Sequence, residues 1–254
     1  MPVLDLREEG RAHRVELDLA ALTPEDRVAA IAMWRARMVQ EHVSARVFAA
    51  LVPQMMKAGI AAAYQAEVAD MIVQELHHGR LCAGVVVSLG GDPVAEMTSL
   101  PDVPLHDDAG PLEAVLRNVI SISCISETIA VAEFTSERER LAPGPLRDVQ
   151  QQILADEIGH ARLGWKLLEE QAGHLDRELR DRLSRYLIYA LRQRVERARP
   201  LVVAAQPSAA VAALGGIDGT AMHALFLDTM AQVVLPGLEA CGLDARDAWA
   251  RAVA

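Results

Sequence analysis

Cysteine and aromatic residues are both scarce in this chain of 254 residues. The cysteines, Cys82, Cys124 and Cys241, are widely separated and contain no C-x-x-C pair, which excludes a disulfide framework and a cysteine-based zinc site. Aromatic residues make up 4% of the chain, whereas hydrophobic residues as a whole make up 52%. Because the apolar content comes mainly from alanine, leucine and valine, the composition favours close-packed helices over strands.

The chain also lacks an excess of basic residues. It has 25 lysine and arginine residues against 35 aspartate and glutamate residues, a formal net charge of −10 at pH 7. Nothing in that balance would neutralise phosphates, so nucleic acid is not an expected partner. The N-terminus has no signal-peptide core, and no uncharged apolar run reaches membrane-spanning length. We therefore expect a cytoplasmic protein without a membrane partner.

Helical periodicity, together with proline and glycine, divides the chain into predicted elements. Residues 1–22 are predicted to form an irregular or strand-like arm. Four bundle helices are predicted, over residues 24–51, 60–88, 111–141 and 146–173. Pro53 is expected to end the first of these helices, because proline disrupts a helix interior.

The C-terminal third of the chain is predicted to add further helices to the bundle. They are expected over residues 175–199, 220–234 and 244–253. Residues 200–219 are predicted to form a loop, and Pro236 and Gly242 are expected to separate the last two helices.

Residues 90–110 are rich in proline, glycine and aspartate and show no helical period. A connection of that length does not suit a tight hairpin, so we predict a crossover between the second and third helices. The predicted fold is therefore an all-α four-helix bundle with one long crossover. We predict a single domain over residues 1–254, comprising the arm, the bundle at 23–173 and a helical extension at 174–254.

One short motif, Glu-x-x-His, occurs on both the second and the fourth predicted helices, at Glu75–His78 and at Glu157–His160. Residues three apart share one face of an α-helix, so each pair can direct an oxygen and a nitrogen at one point. The first and third helices each carry a lone glutamate, Glu41 and Glu127. Four carboxylates and two imidazoles in this order match the ligand set that bundle proteins use for a dinuclear metal site.

The surroundings of Glu127 support a metal site. It lies in the stretch VISISCISETIAVA, with no lysine or arginine three or four residues away. Burial of an unpaired carboxylate costs several kcal/mol, and two divalent ions would balance four carboxylates. Mixed oxygen and nitrogen ligands suit iron or manganese. The sequence predicts that the lone glutamates, Glu41 and Glu127, bridge the two metals.

Residues next to the predicted ligands are candidates for supporting roles. Gln74 and Asp156 each precede a motif glutamate and are predicted to accept a hydrogen bond from the outer nitrogen of a ligand histidine. Candidate pocket residues are Cys82, Ser123, Cys124 and, as an additional ligand, His223. For the cysteines the alternative is simple core packing, and for His223 it is a core or surface position away from the metal.

Four stretches, EHVS at 41–44, QELHHGRL at 74–81, SET at 126–128 and DEIGHARLGW at 156–165, carry a resemblance to a known family. The sequence resembles bacterial ferritin-like domain proteins over residues 30–170 and, more loosely, in its tail. The resemblance implies the bundle fold and a dinuclear iron site, and it implies no particular substrate. Gln74 stands where those proteins usually have an aspartate.

The leading functional hypothesis is an O₂-activating oxidase or oxygenase that hydroxylates, desaturates or N-oxygenates a small organic substrate. Its expected cofactors are two iron ions, as Fe/Fe or Mn/Fe, with O₂ as co-substrate. An external electron donor and a second copy of the chain in a homodimer are the expected partners. Ile153 stands where related arylamine N-oxygenases carry a further histidine, which weakens the case for that reaction.

Other functions fit the sequence less well. The principal alternative is a ferroxidase or iron-handling protein without an organic substrate, although storage shells are built from shorter bundles. A rubrerythrin-type peroxidase would need a cysteine iron site, which is absent. A ribonucleotide reductase radical subunit would need a tyrosine close to the metals, and Tyr64 lies about three helical turns from Glu75. A structural bundle with vestigial ligands conflicts with the complete ligand set.

Overall fold

Two short elements precede the bundle in the computed structural model, which describes residues 2–97, 102–204 and 206–254. They are β1 (Val3–Asp5) and α1 (Arg7–Ala12). The prediction of an irregular or strand-like arm is therefore correct for β1 and wrong for α1. Burial of the neighbouring Leu4 and Leu6 holds this segment against the bundle, and such tertiary contacts can stabilise a helix too short to form alone.

An all-α four-helix bundle follows, as predicted. The first two of its helices are α2 (Pro24–Lys57) and α3 (Ala62–Ser88). The third is one rod in three parts: α4 (Pro111–Val119), a first π-helical segment (Ile120–Glu127) and α5 (Thr128–Arg140). The fourth is α6 (Pro145–Ala172). The π-helical segment, in which hydrogen bonds join residues five apart, was not predicted.

The helix α2 begins as its sequence predicts but does not end at Pro53. The Thr23 hydroxyl caps the helix by accepting a hydrogen bond from the Asp26 backbone amide. The Thr23 backbone amide donates in turn to the Asp26 carboxylate. Beyond Pro53 the helix continues for another turn because Met55 is fully buried and Gln54 nearly so. Burial of that turn outweighs the cost of proline in a helix, about 3 kcal/mol.

The crossover between α3 and α4 is tied to the N-terminal arm. Within it, β2 (Val94–Glu96) pairs antiparallel with β1, and Val3 lies opposite Glu96. Gly10 of α1 packs so closely on α3 that an added Cβ would lie 2.9 Å from the Ala83 carbonyl oxygen. Residues 98–101 of the predicted crossover lie outside the described residues.

The C-terminal region contains more helix than predicted. It comprises α7 (Arg177–Ala198), a 3₁₀ turn (Arg199–Val203), α8 (Ala209–Ala212), α9 (Gly219–Thr229), a second π-helical segment (Met230–Val234), α10 (Leu235–Ala240) and α11 (Ala245–Val253). The predicted loop at 200–219 thus holds two short helical turns. Pro236 does not end a helix: it lies within the continuous helical stretch Gly219–Ala240, directly after the second π-helical segment, where the regular α-helical hydrogen bonds are already interrupted.

Two apolar clusters divide the core along the bundle. One contains Phe48 of α2 and Leu167 of α6 and extends to the C-terminal helices. The other contains Trp34 of α2 and Ile153 of α6 and extends to the N-terminal arm. On each of these helices the predicted metal ligands lie between the two clusters, so the polar site is enclosed on both sides by apolar packing.

Two helical stretches, Pro111–Arg140 and Gly219–Ala240, are long and apolar enough to cross a membrane by length and composition alone. In the first stretch 61% of the most apolar window is buried inside the protein, as expected for a core rod of a bundle. In the second the buried share is 33%. The absence of a membrane partner therefore stays a prediction.

Candidate metal centre

The six predicted ligands converge at one place in the bundle. They form two overlapping groups whose ligand atoms lie within 4.8 Å of one another. All six side chains are buried, and the most exposed of them, Glu127, is 7% accessible. The first group is Glu41, Glu75, His78 and Glu157, and the second is Glu75, Glu127, Glu157 and His160.

The glutamates that the two groups share are not the glutamates that the sequence predicts to bridge the metals. Glu75 and Glu157 belong to both groups, whereas Glu41 and Glu127 belong to one each. The prediction that the lone glutamates take the bridging positions is therefore wrong for this geometry. The reason is that α3 and α6 bring both motif glutamates to the centre of the cluster, between the two histidines.

The two histidines present their Nδ1 atoms to this centre. His160 Nδ1 lies 3.2 Å from Glu75 Oε1 and 3.3 Å from Glu157 Oε2, and His78 Nδ1 lies 3.5 Å from Glu41 Oε2. Both Nδ1 atoms, both Glu75 oxygens and Glu157 Oε2 have no hydrogen-bond partner among the described residues. Donor atoms that share an octahedral ion at 2.1 Å are about 3 Å apart, so these buried atoms fit a metal site.

Without a metal, the cluster holds protons. Burial, with the nearby charges of Glu75 and Glu157, raises the pKa of Glu41 to about 8. Burial, with the Glu157 charge, also raises the pKa of Glu127 well above its ordinary value. Burial opposes ionisation of Glu157 too, but the nearby imidazoles of His160 and His78 and the carboxyl of Glu127 hold its pKa well below the usual range. Metal binding would therefore displace protons from the cluster.

The outer nitrogens of both histidines are hydrogen-bonded across the bundle. His78 Nε2 on α3 lies 3.0 Å from Asp156 Oδ2 on α6. His160 Nε2 on α6 lies 2.9 Å from Gln74 Oε1 on α3. Gln74 Nε2 also donates to Asp156 Oδ1 at 3.3 Å, which joins the two contacts into one network. Each motif thus orients the histidine of the other motif and leaves Nδ1 free for a metal.

A close approach of α6 to the third rod positions Glu127. At Gly164 an added Cβ would lie 2.3 Å from the Cβ of Ser123, so only glycine fits there. Trp165 Nε1 donates to Thr128 Oγ1 at 2.9 Å, next to Glu127. Glu127 is the last residue of the first π-helical segment, a type of distortion frequent at functional sites.

A cavity of about 400 Å³ opens onto the cluster. Glu41, Glu127 and Glu157 form one part of its wall. The remaining wall combines charged and apolar side chains from α2, α5, α7 and α9, including Arg37, Glu133, Phe134, Glu137, Arg194, Arg197 and Met222. Its volume lies within the range of small-molecule sites, roughly 300–1,000 Å³.

The candidate pocket residues are not part of the described cavity wall. Cys82, Ser123 and Cys124 are fully buried, and the described wall of the cavity includes none of them. Burial and the Cys241 thiol raise the pKa of the Cys124 thiol, so Cys124 behaves as core packing. His223 is outside both ligand groups and lies beside Phe226, with ring centroids 6.3 Å apart, while its neighbour Met222 reaches the cavity.

Sequence reasoning missed the arginines of the cavity. Arg194 and Arg197 lie on α7, whose many charges are typical of a partly exposed helix. The signal that was available is their spacing of three residues, which places both on one helix face.

Comparison with known proteins bears on the fold alone. No protein-family profile and no curated protein matches the sequence. A solved structure from Synechococcus, described as a protein with aldehyde deformylating oxidase activity, is similar to this one with a TM-score of 0.62. The match covers 93% of this chain and 99% of that chain, at 18% sequence identity. The chain shares the helical fold of this oxidase.

Proposed function

We propose that the protein is a di-iron oxidase or oxygenase that acts on a small organic substrate. The observation that carries the proposal is the cavity of about 400 Å³ whose wall includes three glutamates of the cluster. A substrate in that cavity would lie next to the metals. The oxidase activity of the Synechococcus protein with the same fold supports the same class of chemistry.

The donor set fits two divalent ions. Glu41 and His78 would hold one ion, Glu127 and His160 the other, and both would share Glu75 and Glu157. Two ferrous ions held by these residues would supply the electrons for two-electron reduction of O₂, and an external donor would restore those electrons between turnovers.

The protein would position the metal ligands and keep water out. Asp156 and Gln74 fix the orientation of the histidine rings, and the two apolar clusters of the core enclose the metal ligands on both sides. Because burial raises the pKa of Glu41 and of Glu127, these two carboxyls hold protons without metal, which reduces the charge that folding must bury. Substrate reaches the open side, where the cavity meets Glu41 and Glu127.

Iron loading in air tests the proposal against iron storage. We expect anaerobic titration with ferrous iron to saturate at about two ions per chain. With excess ferrous iron in air, uptake should stop at that value, and a chemical reductant should sustain O₂ consumption. A chain that continues to accumulate iron would be a storage protein, and one that binds no iron would contradict the metal site.

The network around the histidines gives a second prediction. Asp156→Ala should weaken iron binding about 10- to 100-fold, because His78 loses the carboxylate that orients its ring. Metal titration followed by competition with a chelator measures this affinity. Asp148→Ala, in the first turn of the same helix, is the control and should bind iron like the natural protein. Unchanged affinity in Asp156→Ala would show that this carboxylate does not support the metal.

A further inference from the structure

Two arginines one helical turn apart face the cavity from α7. Arg194 is partly buried and Arg197 is exposed, and both contribute to the cavity wall. Arg194 donates a hydrogen bond to Ser126 Oγ and lies 3.4 Å from the Ser121 carbonyl oxygen. Ser126 immediately precedes Glu127, so the guanidinium of Arg194 lies close to the candidate metal centre.

Neither arginine forms an ion pair with a carboxylate in the described part of the chain. Arg37 on the same cavity wall differs, because its guanidinium makes two contacts of 2.6 Å with the Glu137 carboxylate. Burial, and next the charge of Arg197, lower the pKa of Arg194 to about 10. Two like charges placed side by side without a counterion are unfavourable, so their position calls for an anion.

The carboxylates of Glu127 and, less strongly, Glu133 attract Arg194, but Glu127 belongs to the candidate metal centre, which leaves Glu133 as the remaining counterion. It lines the same cavity and attracts Arg194, but the two side chains do not approach within 4 Å as an ion pair. Burial and the neighbouring Glu137 raise the pKa of Glu133 to about 7, so near neutral pH it carries only part of a charge. With metals balancing the glutamates of the cluster, positive charge remains in excess at the α7 side.

One part of the cavity wall is apolar. It is formed by Ile129, Ala130 and Phe134 of α5 and by Met222 of α9. A ligand with an apolar body and a negatively charged end would therefore be complementary to both the apolar and the basic parts of the cavity wall. A guanidinium suits a carboxylate in particular, because its planar N–H groups match two oxygens.

We propose that the cavity binds an organic carboxylate, with the headgroup on Arg194 and Arg197 and the apolar body against α5 and α9. This proposal rests on the proposed function for the role of the bound molecule as substrate. The anion site itself depends only on the arginines and the cavity. Arg194 and Arg197 thus determine specificity.

Calorimetry with matched probes tests the proposal. Octanoate, octan-1-ol and octylamine would each be titrated into the ferrous protein without oxygen, after its iron content is measured. We expect octanoate to bind at least about tenfold more tightly than the other two probes, since charge-assisted hydrogen bonds favour the anion. In Arg194→Gln the octanoate affinity should fall about 10- to 100-fold, with the octanol affinity and the iron content unchanged.

Two further variants serve as controls. Arg197→Gln changes an exposed residue, keeps the fold intact, and should weaken octanoate binding about threefold. Arg185→Gln, exposed on the same helix and outside the cavity wall, should leave all affinities unchanged. Equal binding of octanoate and octanol would overturn the proposal. So would unchanged octanoate binding in both cavity variants, because the carboxylate would then sit on the metals.

Failure of the anion site and failure of the proposed function give different results in these experiments. A chain without bound iron would contradict the di-iron enzyme, and the comparison of octanoate with octanol in the metal-free protein would still decide the anion site. A chain with two irons and no preference for octanoate would contradict the anion site alone.

Discussion

Glu157→Gln is expected to abolish iron binding, reducing the content from about two ions per chain to nearly none. Glu157 belongs to both ligand groups, and its oxygens lie 3.6 Å from His78 Nδ1 and 3.3 Å from His160 Nδ1. An amide cannot supply the negative charge that two divalent ions share at this position. Iron analysis after anaerobic loading and desalting measures the effect.

Glu41→Gln should behave differently from Glu157→Gln. Glu41 belongs to one group, so this variant should retain about one ion per chain, held by the group that contains Glu127 and His160. Glu169→Gln, an exposed residue on the same helix as Glu157, is the control and should keep both ions. Loss of the same number of ions in Glu41→Gln and Glu157→Gln would contradict the central position of Glu157.

Arg37→Ala is expected to destabilise the protein by about 3–5 kcal/mol, because it leaves the Glu137 carboxylate buried without its partner. The Glu137 side chain is 6% exposed and that of Arg37 is 18% exposed. Arg37 also donates to the Gly215 carbonyl oxygen and lies over the Trp34 ring. Urea unfolding of the metal-free protein measures the loss in free energy of unfolding.

Two variants separate the ion pair from general effects of substitution. In the double variant Arg37→Met with Glu137→Leu no charge is left unpaired, so we expect a much smaller loss of stability than in Arg37→Ala. Arg251→Ala breaks an ion pair with Asp247 in which both side chains are about 60% exposed, and it should have no measurable effect. A small loss in Arg37→Ala would indicate that Glu137 finds sufficient compensation in Gln150, which donates to it at 2.8 Å.

The sequence carries enough information to predict which six side chains meet, because helical spacing and burial of acidic residues are local properties. It does not determine which carboxylates lie in the middle. That depends on how α3 and α6 approach each other. The position of Glu127 depends in turn on the close contact of Gly164 with Ser123 of the third rod, which the sequence alone does not reveal. The shared position of Glu75 and Glu157 in both ligand groups was therefore visible only in three dimensions.

Other features escaped prediction for related physical reasons. Pro53 and Pro236 were expected to interrupt helices. Burial of the turn after Pro53 makes the first tolerable, and the π-helical segment just before Pro236 makes the second tolerable. Arg194 resembled any charged residue of a solvent-exposed helix. Its significance comes from the packing of α7 beside the third rod, where it contacts Ser126 and where carboxylate partners are lacking in the described part of the chain.

The first π-helical segment has an evolutionary consequence. A helix that gains one residue without breaking its rod accommodates the insertion as a π-helical stretch, so residues 120–127 have the form of an α-helix with an insertion. Removing one residue there would return the stretch to α-helical spacing, in which successive side chains are about 100° apart. The side chains within the segment, which ends at Glu127, would then point in other directions. This stretch should therefore tolerate exchanges of small apolar residues far better than any change in its length.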